Sequence, residues 1–426
     1  MTHELDNLPD LLQPVAGGGL LDRRLFLKQS LTAGASAGLV LAGMNAGAAE
    51  LPPWMKTPGA PFSNYGQPSP HENEAIRWIS ANSAAPGNGI SWTPLHTLEG
   101  MITPNGLHFE RHHNGVPQID PDRHRLLLHG LFRNPLSFTV EDLLRYPMVS
   151  RICFVECGGN SNAGWHEEPI QTPVGYFHGL ASCSEWTGVP LSTLLDEAGL
   201  LPEARWLIAE GADAAAMNTS LPIEKALDDT LVALYQNGER IRPENGYPMR
   251  LILPGWEAVL NVKWLHRLQA AREPVMARNE TAQYTELQPS GKARQFTFLM
   301  DAKSLITHPS PGHTLRGPGL YQLSGLAWSG RGKIRSVEIS ADGGKTWAPA
   351  ALQEPVLSKC FTRFRLPWRW DGSPLILKSR AIDETGYQQP ERATLIAERG
   401  RNGYFHYNAI VSWAVASDGS LSHVYA

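Results

Sequence analysis

Cys157 is followed directly by Gly158-Gly159-Asn160. A cysteine so placed can present thiolate sulfur to a soft or high-valent metal centre. The two glycines let a bulky group approach the backbone closely. The blander role is a buried structural cysteine, and Cys153 could pair with it or share a zinc site. A second cluster, His108-Phe109-Glu110-Arg111-His112-His113, precedes Val116-Pro117. Its imidazoles and guanidinium could hold an anion or a metal, or simply face solvent. A third comprises Tyr247-Pro248-Met249-Arg250, Pro254-Gly255 and Asn261-Val262-Lys263-Trp264-Leu265. Arg250 and Lys263, on adjoining strands and turns, could clamp a phosphate; independent salt bridges are the alternative.

Each cluster needs a scaffold. Residues 149–157 read as a strand with Arg151, Cys153, Val155 and Cys157 on one face, which delivers the Cys157 thiol at its end. Residues 249–254 form another strand and carry Arg250. Residues 125–130 are strand-like, and Thr139 opens a brief helix through Leu144. Short strands and helices mix irregularly from 96 to 271, which predicts an α+β fold rather than a doubly wound sheet. Residues 50–95, rich in Pro, Gly, Ser and Asn, read as an extended arm with one helical piece over 72–82. A polar connector covers 273–294. Beyond it, strands flank the turn Ala341-Asp342-Gly343-Gly344 and continue over 364–370 and 375–383, a texture that predicts a β-sandwich of immunoglobulin type.

Composition narrows the function. Of 426 residues 42% are hydrophobic and 18% charged, as in an ordinary globular protein with room for two domains. A net charge of −4 with no basic stripe excludes a nucleic-acid partner. No Gly-x-Gly-x-x-Gly or phosphate-loop motif supports nucleotide chemistry. The four cysteines, Cys153, Cys157, Cys183 and Cys360, are too few for a disulfide scaffold, and without Cys-x-x-Cys-His this chain attaches no c-type haem. Asp22-Arg23-Arg24-Leu25-Phe26-Leu27-Lys28 reads as a twin-arginine export signal with Asp22 as its one departure. The apolar run over 31–44 is broken by Gly34, Gly38 and Gly43 and is too short to span a bilayer; Ala46-Gly47-Ala48-Ala49 supplies a cleavage site. Residues 1–49 are thus expected to be a leader that sends a folded protein to the periplasm. No other stretch predicts a membrane span.

Taken together, the three clusters resemble the sulfite oxidase family of molybdenum enzymes. The resemblance rests on Arg111-His112-His113-Asn114-Gly115-Val116-Pro117, on Cys157-Gly158-Gly159-Asn160, and on Pro248-Met249-Arg250 followed by Val262-Lys263-Trp264-Leu265. Trp186-Thr187-Gly188-Val189-Pro190-Leu191 and Leu234-Tyr235-Gln236-Asn237-Gly238-Glu239 also look like family segments. It implies a molybdopterin-binding domain over 96–285 and an immunoglobulin-like dimerisation domain over 286–426. It implies Cys157 as the protein ligand to molybdenum, with Phe109, His112, His113, Asp213 and Asn245 lining the pterin. Arg250, Asn261 and Lys263 would hold the cofactor phosphate. Arg111 would offer a cation to a sulfur oxyanion, and Tyr284 a hydrogen bond beside the metal.

Departures from the family pattern refine this expectation. Free-sulfite oxidisers usually continue the cysteine motif with a basic pair, where this chain has Ser161-Asn162. Tyr176 stands for a pocket tryptophan, and Gln283 for an aspartate. A pocket with fewer cations is less suited to a small dianion. The pattern resembles the molybdenum subunits of Sox-type sulfane dehydrogenases, which implies oxidation of sulfur held on a carrier protein and transfer of electrons to a c-type cytochrome subunit. The implied assembly is a homodimer, or a heterotetramer with the cytochrome. Oxidation of free sulfite with a cytochrome c acceptor is the alternative, and methionine sulfoxide reduction a more distant one.

Overall fold

A computed structural model describes residues 14–22 and 52–426. The twin-arginine pair, the apolar stretch and the cleavage site lie outside the described residues.

The first domain is built on two five-stranded sheets. One runs Glu239–Arg240, Leu231–Gln236, Ala181–Pro190, Val149–Glu156, with Arg250–Ile252 also paired to Leu231–Gln236. The other runs Asn218–Pro222, Trp206–Gly211, Leu265–Ala271, Leu126–Gly130, Leu136–Phe138, and its Leu265–Ala271/Leu126–Gly130 pair is parallel. The helix Leu191–Ala198 lays Leu191, Leu194, Leu195 and Ala198 on the core and stops at Gly199, whose φ of 70° suits glycine. The Thr139 cap forms as expected, its hydroxyl accepting from Asp142 N–H while Asp142 reaches back to Thr139 N–H. Irregular mixing of helices and mostly antiparallel sheets is α+β, as the residue pattern predicts.

The second domain is a sandwich of two sheets. Lys303–His308, Gly319–Trp328 and Thr362–Trp370 form the centre of one; Ala348–Pro349, Ile334–Ser340, Leu375–Asp383, Ser412–Val415 and Leu421–Val424 form the other. The turn over 341–344 carries Gly343 and Gly344 at φ 76° and 98°. Tryptophans 328, 368, 370 and 413 fill the space between the sheets. The strand Val149–Glu156 lies at the seam between domains. Cys153 and Val155 face the core of the first, while Phe154 packs on Phe361 of the second at 6.3 Å between ring centroids.

Some expectations need correction. No helix forms over 72–82. Trp78–Ala81 is a strand paired with Gly89–Trp92, because Trp78 and Ile79 favour a pleated surface and Trp78 meets Trp92 across the pair at 4.6 Å. The polar connector holds the helix Arg278–Ala282 and the hairpin Thr285–Leu287/Ala293–Gln295. Residues 14–22, inside the segment assigned to the leader, form two short strands on the sandwich edge, with Leu20 and Leu21 fully buried.

Candidate active site

Cys157 sits one residue past the strand Val149–Glu156, where its N–H donates to Leu180 C=O at 2.9 Å and its carbonyl accepts from Asn160 N–H at 2.8 Å. The residue before it anchors the turn. Glu156 is fully buried and accepts from Lys303 Nζ at 2.6 Å, Trp328 Nε1 at 2.6 Å and Asn160 Nδ2 at 2.9 Å. Lys303 and Trp328 belong to the sandwich, so the second domain holds the base of the cysteine turn. A Cβ at Gly158 would meet the Glu257 carboxylate, which would have to shift to admit it. Burial pushes the Cys157 thiol up to about 11. A metal would reverse that preference, because coordination favours the thiolate.

The cavity over Cys157 is lined by Phe109, Arg111, His112 and His113 from one side and by Asp213, Asn245 and Tyr284 from others. Arg250, Asn261 and Lys263 complete the wall. All eleven residues singled out from sequence therefore face one space. Arg250 is buried and donates to Asn245 C=O at 2.8 Å and Asn261 C=O at 2.9 Å, while its Nε has no partner. Burial lowers it from 12.5 to about 9. Lys263 Nζ donates to Arg111 C=O, Glu244 C=O and His112 Nδ1 at 3.2, 3.1 and 2.9 Å; burial first, then Arg250, holds it well below its ordinary value. Among the described residues neither cation, nor Arg111, makes an ion pair. Three cations share this cavity with the Asp213 and Glu244 carboxylates, none of them in a direct ion pair, so the site keeps cationic capacity for an anion.

The imidazoles are neutral. His112 accepts from Lys263 at Nδ1 and faces Glu110 Oε2 through Nε2 at 2.7 Å; burial and then Lys263 lower it to about 3. His113 falls to about 4 by burial and then Arg111. Asn261 Oδ1 accepts from Leu253 N–H and its Nδ2 donates to Glu257 C=O, which shapes the loop, while its carbonyl seats Arg250 on the cavity wall. Asn245 donates to Gln236 Oε1 at 3.0 Å and leaves its Oδ1 unpaired.

From Cys157 a funnel of about 370 Å³ opens outward. Arg111, His113 and Tyr284 stand at its base, and Trp78, Trp92, Tyr176, Tyr404 and Phe405 make much of its wall. Phe405 stacks on Tyr284 at 4.9 Å. Next to it, His406 N–H donates to Gly158 C=O at 2.7 Å, and His406 Nε2 meets Glu257 at 3.1 Å. Cys153 and Cys157 form neither a disulfide nor a zinc cluster: all four cysteines are free, and no group of His, Cys, Asp and Glu among the described residues could hold a metal ion by itself.

Residues 113–278 match the oxidoreductase molybdopterin binding domain, and 294–412 the Mo-co oxidoreductase dimerisation domain. The solved sulfane dehydrogenase SoxCD of Paracoccus pantotrophus is 45% identical, with a TM-score of 0.85 over 88% of this chain and 97% of that one. The chain belongs to the sulfite oxidase family of molybdenum oxidoreductases. Human mitochondrial sulfite oxidase is 29% identical over 71% of this chain and 58% of its own length. An NADH nitrate reductase from Ulva prolifera is 29% identical over 72% of this chain and 40% of its own. The chain thus spans only about half the length of these curated relatives.

The family cofactor is molybdenum held by molybdopterin, and the cavity fits it on physical grounds. Arg250 and Lys263 lack the anion that a pterin phosphate provides. The unpaired Asp213 Oδ1, Asn245 Oδ1 and His108 Nε2 are buried polar atoms that need partners, as a pterin edge would offer. Within the family frame, the residues missed by sequence reasoning are His108, Met217 and Glu244 on the cavity wall, and Glu257, Tyr404, Phe405 and His406 around it. His108 lay in a recognised cluster, so its neighbours were a usable signal. The others reach the site only through tertiary contacts.

Proposed function

We propose that this protein is the molybdenum subunit of a periplasmic sulfane dehydrogenase, which oxidises sulfur carried on a partner protein and passes the electrons to a c-type cytochrome. The likeness to SoxCD along almost the whole of that solved chain carries the reading. The funnel supports it: its wall is largely aromatic, and Ser161 and Asn162 stand where a second and third cation would favour a free dianion. A space of this size suits a group delivered on a peptide arm. Periplasmic location follows from the twin-arginine reading. Among the described residues no helix is long and apolar enough to cross a membrane.

When bound, the molybdenum cofactor supplies a two-electron oxidation of sulfur. The chain supplies the rest. Cys157 would be the protein ligand, fixed from below by Glu156. Arg250 and Lys263 would hold the phosphate, with His112 and Asn261 orienting them. Arg111, whose hydrogen bonds run to neutral groups (Asn88 Oδ1 at 3.2 Å, His113 Nδ1 at 3.3 Å), would keep its charge for the sulfur oxyanion. Tyr284, kept protonated by burial and the neighbouring Cys157, would donate a hydrogen bond at the same point.

The test is a direct competition. The molybdenum-loaded chain is assayed with c-type cytochromes on free sulfite and on a persulfide carried by a protein cysteine. Faster turnover of the carried sulfur is expected; a kcat/KM that favours free sulfite would replace this reading with that of a sulfite:cytochrome c dehydrogenase.

A further inference from the structure

Residues 14–22, Pro14-Val15-Ala16-Gly17-Gly18-Gly19-Leu20-Leu21-Asp22, end one residue before Arg23-Arg24. They do not merely lie on the sandwich. Leu20 pairs with Trp368, and both leucines are fully buried, Leu20 within the sandwich core. The Trp368 indole donates to Gly18 C=O at 2.7 Å, and Gly17 N–H donates to Thr346 Oγ1 at 2.7 Å. The three glycines are fitted to their seat. A Cβ at Gly17 would strike the Asp342 carboxylate, at Gly18 the Ala341 carbonyl, and at Gly19 the Arg369 carbonyl. Gly18 and Gly19 also hold φ of 69° and 85°, which side chains disfavour.

The seat comes from two places in the sandwich. Ala341, Asp342 and Thr346 belong to the turn after Ile334–Ser340, in one sheet; Trp368 and Arg369 belong to Thr362–Trp370, in the other. A nine-residue segment has too little of its own to fold alone. Its seat exists only once both sheets have come together.

We propose that residues 14–22 are a strap that fastens the leader to the assembled sandwich, so that engagement of Arg23-Arg24 by the export machinery competes with docking. The idea rests on the twin-arginine reading but is measured separately from it. While the strap is seated, the segment that immediately precedes the arginine pair is held on a folded surface. Handing the leader over requires Leu20 and Leu21 to leave the core, which slows commitment to export. The strap also covers the outer edge of Thr362–Trp370 near Trp368, an edge otherwise open to pairing with another chain.

The experiment uses the full-length precursor. Amide exchange read by mass spectrometry should find residues 19–22 protected at least tenfold over an unstructured peptide. Gly19→Val should abolish that protection while residues 362–366 keep theirs, which shows that the sandwich still folds. Leu20→Asp should act alike. In pulse–chase labelling of cells, both variants should be processed severalfold faster than the unaltered chain. Unprotected exchange in the unaltered precursor, or processing rates that do not change when protection is lost, would overturn the proposal. Replacing Arg23-Arg24 by two lysines should stop processing in every background. If it does not, the export reading fails, while the exchange data still report docking.

Discussion

Arg250→Met tests whether the buried cations exist for an anion that the chain does not itself provide. Lowering Arg250 from 12.5 to about 9 by burial corresponds to about 5 kcal/mol of lost preference for the charged form. Methionine removes that cost from the empty protein. It also leaves the carbonyls of Asn245 and Asn261 without their donors, a loss of about 1–3 kcal/mol each. The two effects oppose each other. The cofactor-free variant should therefore lie between about 1 kcal/mol less and about 3 kcal/mol more stable than the unaltered chain, where loss of a structural ion-pair arginine would cost about 3–5 kcal/mol. Cofactor retention should fall steeply, since a phosphate in this cavity loses a buried cation worth several kcal/mol. Urea unfolding of the cofactor-free chain is read beside molybdenum and pterin content after reconstitution at limiting cofactor. Stability down by 4 kcal/mol with unchanged cofactor content would refute the reasoning and make Arg250 a structural residue.

Cys157→Ser should cut kcat by at least about a thousandfold while circular dichroism and pterin content change little; turnover within tenfold of the original would remove Cys157 as the metal ligand. Arg111→Gln should raise KM for an anionic sulfur substrate about tenfold and flatten its dependence on salt, with a smaller change in kcat; an unchanged KM would free Arg111 of substrate binding. Lys303→Met strands the buried Glu156 carboxylate and should destabilise by about 3–5 kcal/mol, as thermal unfolding would register; Lys303→Met/Glu156→Leu should recover only part of this, because Trp328 Nε1 and Asn160 Nδ2 then lose their acceptor. Acid should also weaken the cofactor-free fold through His108, which burial and then Arg250 lower to about 3. Its depressed pKa means that the stabilisation is full above about 6.5 and is lost as pH falls toward 3, so about 2 kcal/mol should disappear between pH 7 and pH 5; unfolding of His108→Phe should lack that part of the slope.

Much of the site was legible because its chemistry is local. A cysteine at a strand end followed by two glycines, a run of imidazoles beside an arginine, and cations on a strand and the following turn need only neighbouring residues to be noticed. The same holds for Thr139 and its capping partner, and for the glycine turn at 341–344. The strand Trp78–Ala81 is not legible in the sequence because four residues carry almost no periodicity; its partner Gly89–Trp92 decides it.

By itself, the sequence determined which groups are available: one thiol at a strand end, the cations Arg111, Arg250 and Lys263, and a tyrosine at 284. Tertiary structure decided what these groups meet. It placed Lys303 and Trp328 under Glu156, Phe405 against Tyr284 and Glu257 against Gly158; it spent the amide of Asn261 on its own loop and seated Gly17–Gly19 between two sheets. Except for the Asn261 loop, such contacts join residues about a hundred or more positions apart through tertiary packing, which leaves no periodic trace in either segment. Residue type sets the reactivity of a group, but burial and partners set its charge, and those come from the assembled chain.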